Sequence, residues 1–223
     1  MALSTSIKKR LTEDWRSVFP QMVIYDSMWL MRRIGPLLQG VLLEKTQDGS
    51  CYCPTLHIHT FSRPLGYVAL NVAQPLLTVR TRASEYIKVL HHDKHFSEGA
   101  KRLAASSLLP IEGDISLDEV MAAYRSFETF PASDAPFSIN YFESAISLHA
   151  WCGQINRGKQ ALEEYLEVIT QWPDRVIERL GSVDKWRSDM LAVLANPDAI
   201  RETAEQQATV LKATTLPFSE FRR

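Results

Sequence analysis

The stretch from Cys51 to Phe61, CYCPTLHIHTF, gathers two of the chain's three cysteines and two of its six histidines within nine residues. Thiolate and imidazole are the ligands zinc prefers, so metal binding is the first chemistry these residue types suggest. In a β-strand, alternation sends Cys51, Cys53, His57 and His59 to one face, opposite Leu56 and Ile58. At about 3.3 Å per residue, however, Cys51 and His59 stand roughly 26 Å apart, whereas all ligands of one zinc ion lie within about 2.3 Å of it. A straight strand therefore cannot bring the four to one ion. A pair such as His57 and His59 could supply two ligands if HHDKH supplied the others, because His91 and His95, four apart on a helix, project from the same side. One reading is thus a metal-dependent enzyme using His57, His59, His91 and His95, with zinc as the ion and Asp93 or Glu44 as proton acceptor. The other is that no cofactor is present and that Lys88, His91 and His95 form the wet face of an amphipathic helix whose apolar side is Tyr86, Ile87 and Leu90.

The remaining reactive residues carry less. Cys152 follows His149 in SLHAWCG, but Gly153 is expected to end that helix, and the negative end of a helix dipole disfavours a thiolate. Adjacent acidic residues such as Glu163 and Glu164 do not face each other on a helix and cannot act as an acid and base pair. The sequence holds no GxSxG, no Walker loop, no GxGxxG, no HExxH and no paired CxxC, so no catalytic residue is assigned.

The elements that must position these groups follow from pattern. Ile7, Leu11, Trp15 and Val18 recur at helical spacing with Pro20 beyond, which predicts a helix over 5–18. MVIYDSMWLM is rich in β-formers and predicts a strand that breaks at Gly35 and Pro36. LLQGVLLEKTQDGSCYCPTLHIHTF predicts a hairpin centred on Asp48 and Gly49, with Glu44 facing Cys53, Val41 facing Leu56 and Gly40 facing His57. Val41, Leu43, Leu56 and Ile58 then share the buried face. A further strand is expected in GYVALNVA. From Ser84 the pattern turns helical, with an irregular stretch at FETFPASDAPF, a capping box at Ser116 and Glu119, an apolar stripe of Leu162, Tyr165, Ile169 and Trp172 ending at Pro173, and helix starts at Ser182 and at Asn196 with Pro197. The expected fold is α+β: a small antiparallel sheet with a hairpin in the N-terminal half and a helical bundle in the C-terminal half. The expected division is residues 1–110 against 111–223, or a single compact unit.

At 223 residues and 45% hydrophobic content the chain can bury a substantial core. No run of 18 apolar residues offers a membrane span, the charged N-terminus lacks a signal peptide's apolar stretch, and an odd number of cysteines does not make a disulfide framework. A cytoplasmic protein is expected. The net charge is only −1, yet residues 1–110 carry 14 Lys and Arg against 8 Asp and Glu, while the rest carry 11 against 18. A basic front can serve nucleic acid, but its cations come as scattered pairs such as Arg32 and Arg33 rather than as a run.

The front half, with RRIGPLLQGVLLEK, a turn and the YxPxLHIH strand, resembles α+β proteins that bacteria use as immunity partners of secreted toxins. The resemblance spans residues 24–75. It implies a non-enzymatic protein-binding module that neutralises a cognate toxin by covering its active site. Its contact residues are expected to be Arg32 and Arg33 at a sheet edge if the partner is acidic, or Glu163, Glu164 and Glu167 on the helical half if the partner is basic.

Overall fold

Ser4 opens the first helix by accepting a hydrogen bond from the Ile7 N–H (3.3 Å), and α1 (Thr5–Val18) runs over the range its periodicity predicts. A computed structural model describes residues 3–127 and 139–222. Two compact units divide the chain at places other than residue 110: Met1–His59, Ala69–Ser133 and Ala213–Arg223 form the first, Thr60–Val68 and Asp134–Lys212 the second.

The first unit is built on a sheet of seven strands among the described residues: β1 (Val23–Asp26), β2 (Trp29–Ile34), β3 (Leu37–Lys45), β4 (Cys51–Thr60), β5 (Val72–Pro75), β6 (Ile87–Lys88) and β7 (Phe218–Ser219). The order is β1-β2-β3-β4-β5, with β6 on β4 and β7 on β2. The pairings of β1 with β2, β2 with β3 and β4 with β5 and β6 are antiparallel; β7 adds in parallel. The single strand expected in MVIYDSMWLM is instead two. Asp26 Oδ1 accepts from the Ser27 N–H (2.6 Å), Met28 adopts a φ of 65°, and the Met28 N–H is held by Thr12 Oγ1 (2.9 Å), so the chain reverses there. GYVALNVA becomes strand only from Val72.

The β3–β4 hairpin keeps the expected register over a wider turn. The Thr46 N–H donates to Cys51 O and the Gly49 N–H to Thr46 O, both at 2.9 Å, so the tight turn is Thr46 to Gly49, with Gly49 leaving it at a φ of 71°. Gly40 does face His57: a Cβ there would lie 2.6 Å from His57 Nε2 and 2.5 Å from Leu30 O. Val41, Leu43, Leu56 and Ile58 are buried as expected, and Leu11, Trp15 and Phe19 from the first helix join Val41, Leu43, Tyr52 and Leu56 in one core. The opposite face of β4 is buried too, through Cys53, Thr55, His57 and His59.

Residues 84–91, expected as helix, start as extended chain. Ile87 and Lys88 pair with Tyr52 and Cys51 as β6, a 3-10 turn follows at Val89–His91, and α2 (His92–Ala105) begins only then. Ile87 turns inward, but Tyr86 and Leu90, expected beside it on the apolar side, are exposed. α3 (Leu117–Phe127) starts at the capping box: the Glu119 N–H donates to Ser116 Oγ (3.3 Å), and Glu119 Oε2 accepts from the Ser116 N–H (2.7 Å). The expected irregular stretch FETFPASDAPF lies, Phe127 apart, outside the described residues.

The second unit is helical: α4 (Ile139–Trp151), α5 (Ile155–Ile169), α6 (Asp174–Ile177), α7 (Val183–Ala195) and α8 (Pro197–Val210). α4 is its central helix, buried from Tyr141 through Ala150 apart from Glu143 and packed on α5, α7 and α8. The predicted stripe is in place: Leu162, Ile169 and Trp172 are buried, and the Phe142 ring stacks on Tyr165 at 4.0 Å between centroids. Gly158 lets α5 close on α7, because a Cβ there would meet Leu194 Cδ2 at 2.4 Å. The segment Thr60–Val68 is tied in by Thr60 Oγ1 donating to Ser144 Oγ (2.7 Å), by Arg63 pairing with Glu143 (3.0 Å) and by the Leu65 N–H donating to Gln207 Oε1 (2.7 Å).

Candidate functional site

β4 carries Tyr52 on its core face, and the two residues nearest its hydroxyl come from the helices packed there. Trp15 Nε1–H on α1 donates to Tyr52 Oη (3.1 Å), and Tyr52 Oη lies 2.6 Å from Nδ1 of His92, the first residue of α2. His92 Nε2 in turn stands 3.0 Å from Oδ2 of Asp14 on α1. One proton arrangement satisfies every member: the indole donates to the phenol, the phenol to Nδ1, and Nε2–H to the carboxylate. His92 has no exposed surface, and burial depresses its pKa while Asp14 works to raise it, so the neutral ring assumed in this arrangement is the favoured one. Phe96 stacks on its ring at 4.6 Å. Asp93, next in the chain, is exposed and pairs with Arg10 at 3.6 Å. The ligand atoms of Asp14, His92 and Asp93 all lie within 4.8 Å of one another.

Just before this group, Glu85, Tyr86, Ile87, Lys88, His91 and His95 line a surface cleft of about 310 Å³. His91 and His95 meet there edge to face, 6.3 Å between centroids. Glu85 is committed to Arg102 through two hydrogen bonds of 2.9 and 2.7 Å, which leaves Lys88 and the imidazoles as the polar rim. Tyr86 is 54% exposed and Leu90, in the 3-10 turn, 88%.

The four histidines expected to share a metal do not gather. His91 and His95 lie beyond β6, which pairs with Cys51 and Tyr52 at the start of β4, whereas His57 and His59 lie toward its far end, about 16 Å and about 23 Å along the strand from Tyr52. His57 is buried beside Trp29, whose Nε1–H donates to His57 Nε2 (2.6 Å); the ring proton is then on Nδ1, which finds no partner among the described residues. Burial, helped by His59, holds its pKa down to about 3. His59 accepts from the Ala69 N–H at Nδ1 (3.1 Å). The Cys53 thiol is buried and pushed up to about 11, the reverse of an activated nucleophile. Gly153, at a φ of 69°, ends α4 beside Cys152 as expected.

Arg32 and Arg33, expected at a sheet edge within reach of a partner, are buried at 5% and 6% exposure. β2 is no edge: β3 flanks one side, β1 and β7 the other. Arg32 donates to Gln39 Oε1 (2.8 Å), Gly113 O (3.1 Å) and Pro110 O (3.0 Å), clamping the loop before α3; Arg33 donates to Gly35 O (3.0 Å) and lies under the Phe218 ring (5.1 Å). Glu163, Glu164 and Glu167 are exposed on α5, with Glu163 paired to Arg187 at 2.7 Å. Sequence reasoning missed His92. Its neighbours His91 and His95 drew the attention, and only the phase of a helix that starts at His92 shows which of the three turns inward.

Among the described residues no helix is long and apolar enough to cross a membrane. Compared with known protein families, curated proteins and solved structures, the chain matches none.

Proposed function

We propose that the chain is a protein-binding module whose contact face is the cleft at Tyr86, Lys88, His91 and His95 with the neighbouring Leu90. The carrying observation is the pairing of Leu90, at 88% the most exposed large apolar residue among those described, with Tyr86 (54%) beside a formed cleft. Tyrosine beside a concavity is a frequent anchor of binding energy, and large apolar groups held in water gain most from being covered. With Glu85 neutralised by Arg102, the charge left on the rim is Lys88, so the partner that fits is an acidic protein segment carrying an apolar side chain. The resemblance to immunity proteins makes a bacterial toxin one partner of this kind, inhibited by coverage and without chemistry from this chain.

The test is affinity purification of the chain from cells that make it, beside Leu90→Glu and Tyr86→Ala. Both residues are exposed, so circular dichroism is expected to show unchanged folds. A stoichiometric partner, reduced at least tenfold by Leu90→Glu, is the expected result. A partner retained in full by both variants removes the cleft from the proposal, and the lack of any stoichiometric partner removes the protein-binding reading itself.

A further inference from the structure

We propose that Asp14, His92 and Asp93 form a binding site for a first-row divalent cation, zinc or manganese, supplied by one imidazole and two carboxylates. It is separate from the cleft and does not rest on the protein-binding reading. Two helices present the ligands: Asp14 from the last turns of α1, His92 and Asp93 from the start of α2. Ligands bound at 2.0–2.1 Å to one tetrahedral ion stand about 3.3 Å apart. The 3.0 Å between His92 Nε2 and Asp14 Oδ2 is already near that spacing, and Asp93, within 4.8 Å of both, has an exposed side chain that covers the remainder once it leaves Arg10. An imidazole with two carboxylates is a donor set that suits zinc and manganese better than soft, thiolate-seeking ions.

The outer groups are those that metal-binding histidines require. A ligand imidazole needs its other nitrogen fixed, because that contact sets both ring orientation and tautomer. Here Tyr52 Oη holds Nδ1 at 2.6 Å, Trp15 holds the phenol, and Phe96 stacks on the ring. The nitrogen left facing the Asp14 carboxylate is Nε2. When an ion takes the Nε2 lone pair, the ring proton moves from Nε2 to Nδ1 and donates to Tyr52 Oη; the ring stays neutral and no net proton is released. Tyr52's own hydrogen loses His92 as acceptor in the process, and the ion must displace Arg10 from Asp93. Both costs make the site one of modest affinity. Asp14 is only partly buried and Asp93 is open to solvent, so water completes the coordination on that side.

Zinc chloride and manganese chloride titrated into the full, untagged chain by calorimetry, with dialysis to count bound ions, decide the matter. One equivalent is expected in the parent protein, weakened at least tenfold in Asp93→Asn, whose exposed position leaves folding intact. The His91→Ala, His95→Ala double variant is expected to bind as the parent does, since the cleft pair supplies no ligand. Failure of the parent to bind either ion saturably overturns the proposal. So does binding that persists in Asp93→Asn, or that disappears in the double variant, which would give the ion to the cleft.

Discussion

Two residue positions carry more of the fold than their types announce. Gly40 stands where a Cβ would meet the Leu30 carbonyl at 2.5 Å and His57 Nε2 at 2.6 Å, and the nearer atom is backbone in the neighbouring strand. Gly40→Ala is expected to destabilise the protein by about 1–3 kcal/mol, as overpacking in a closed core does, seen as a lower urea midpoint at unchanged slope. Parental stability would show that β2 and β3 can separate at this point. His57 is the second position. Its folded pKa, near 3, lies below the ordinary value of 6.5, so between those limits the unfolded chain binds a proton that the folded protein refuses. Stability is therefore full above about pH 6.5 and falls as the pH drops through that window, by roughly 1.4 kcal/mol per pH unit once below the unfolded pKa. His92, also depressed, adds to the fall with the same sign. Urea melts at pH 7 and pH 5 are expected to differ by about 2 kcal/mol or more; equal stability at the two would mean that neither ring is held neutral by burial.

At the scale of elements, the hairpin shows what a sequence specifies and where specification stops. Gly49 sits at a φ of 71°, where a β-branched side chain is strained, so Gly49→Val is expected to cost about 1 kcal/mol or more, read from the thermal or denaturant midpoint. An unmoved midpoint would mean that the turn rearranges freely. The register of this hairpin, α1, the Ser116 capping box and the Leu162 to Trp172 stripe were all legible, because each depends on residues within a few positions of one another. What escaped depends on distance or on phase. Asp26, Ser27 and Met28 turn the chain inside a run of β-formers, with Thr12 of α1, 16 residues away, receiving the freed Met28 N–H. β7 reaches β2 from 185 residues along the chain to pair with Arg33 and Ile34, and the loop before α3 closes over Arg32, so neither arginine is left at an edge. Asp14 and His92, 78 positions apart, have no mutual signal at all. For the histidines the difficulty was phase: shifting the start of a helix by one residue turns each side chain by about 100°, and His91, His92 and His95 exchange roles.

For the whole molecule the question is which surface meets a partner, and charge bears on it. The basic excess of residues 1–110 invites polyanions, yet Arg32 and Arg33 are spent on backbone carbonyls and a ring, and Arg102 on Glu85. A nucleic-acid groove needs cations held toward solvent for many phosphates, and these three are unsuited to that. The cleft asks less: one lysine, two imidazoles and an apolar anchor suffice for an acidic protein segment. Acidic Glu163, Glu164 and Glu167 on α5 would instead serve a basic partner. The two faces make opposite demands, so charge reversal separates them. With the purified partner, Lys88→Glu is expected to weaken binding about tenfold at low salt, close to 1.4 kcal/mol, and raising the salt toward 0.5 M is expected to weaken the parent complex and to strengthen that of the variant, because screening reduces both the parent's attraction and the repulsion that the reversed charge creates. Reversal of Glu163, Glu164 and Glu167 to lysine is expected to leave binding as it was. If the lysine triple variant loses affinity and Lys88→Glu does not, the partner is basic and the contact belongs to α5. If neither changes it, recognition runs through the apolar anchor, and Leu90→Glu becomes the substitution that breaks the complex.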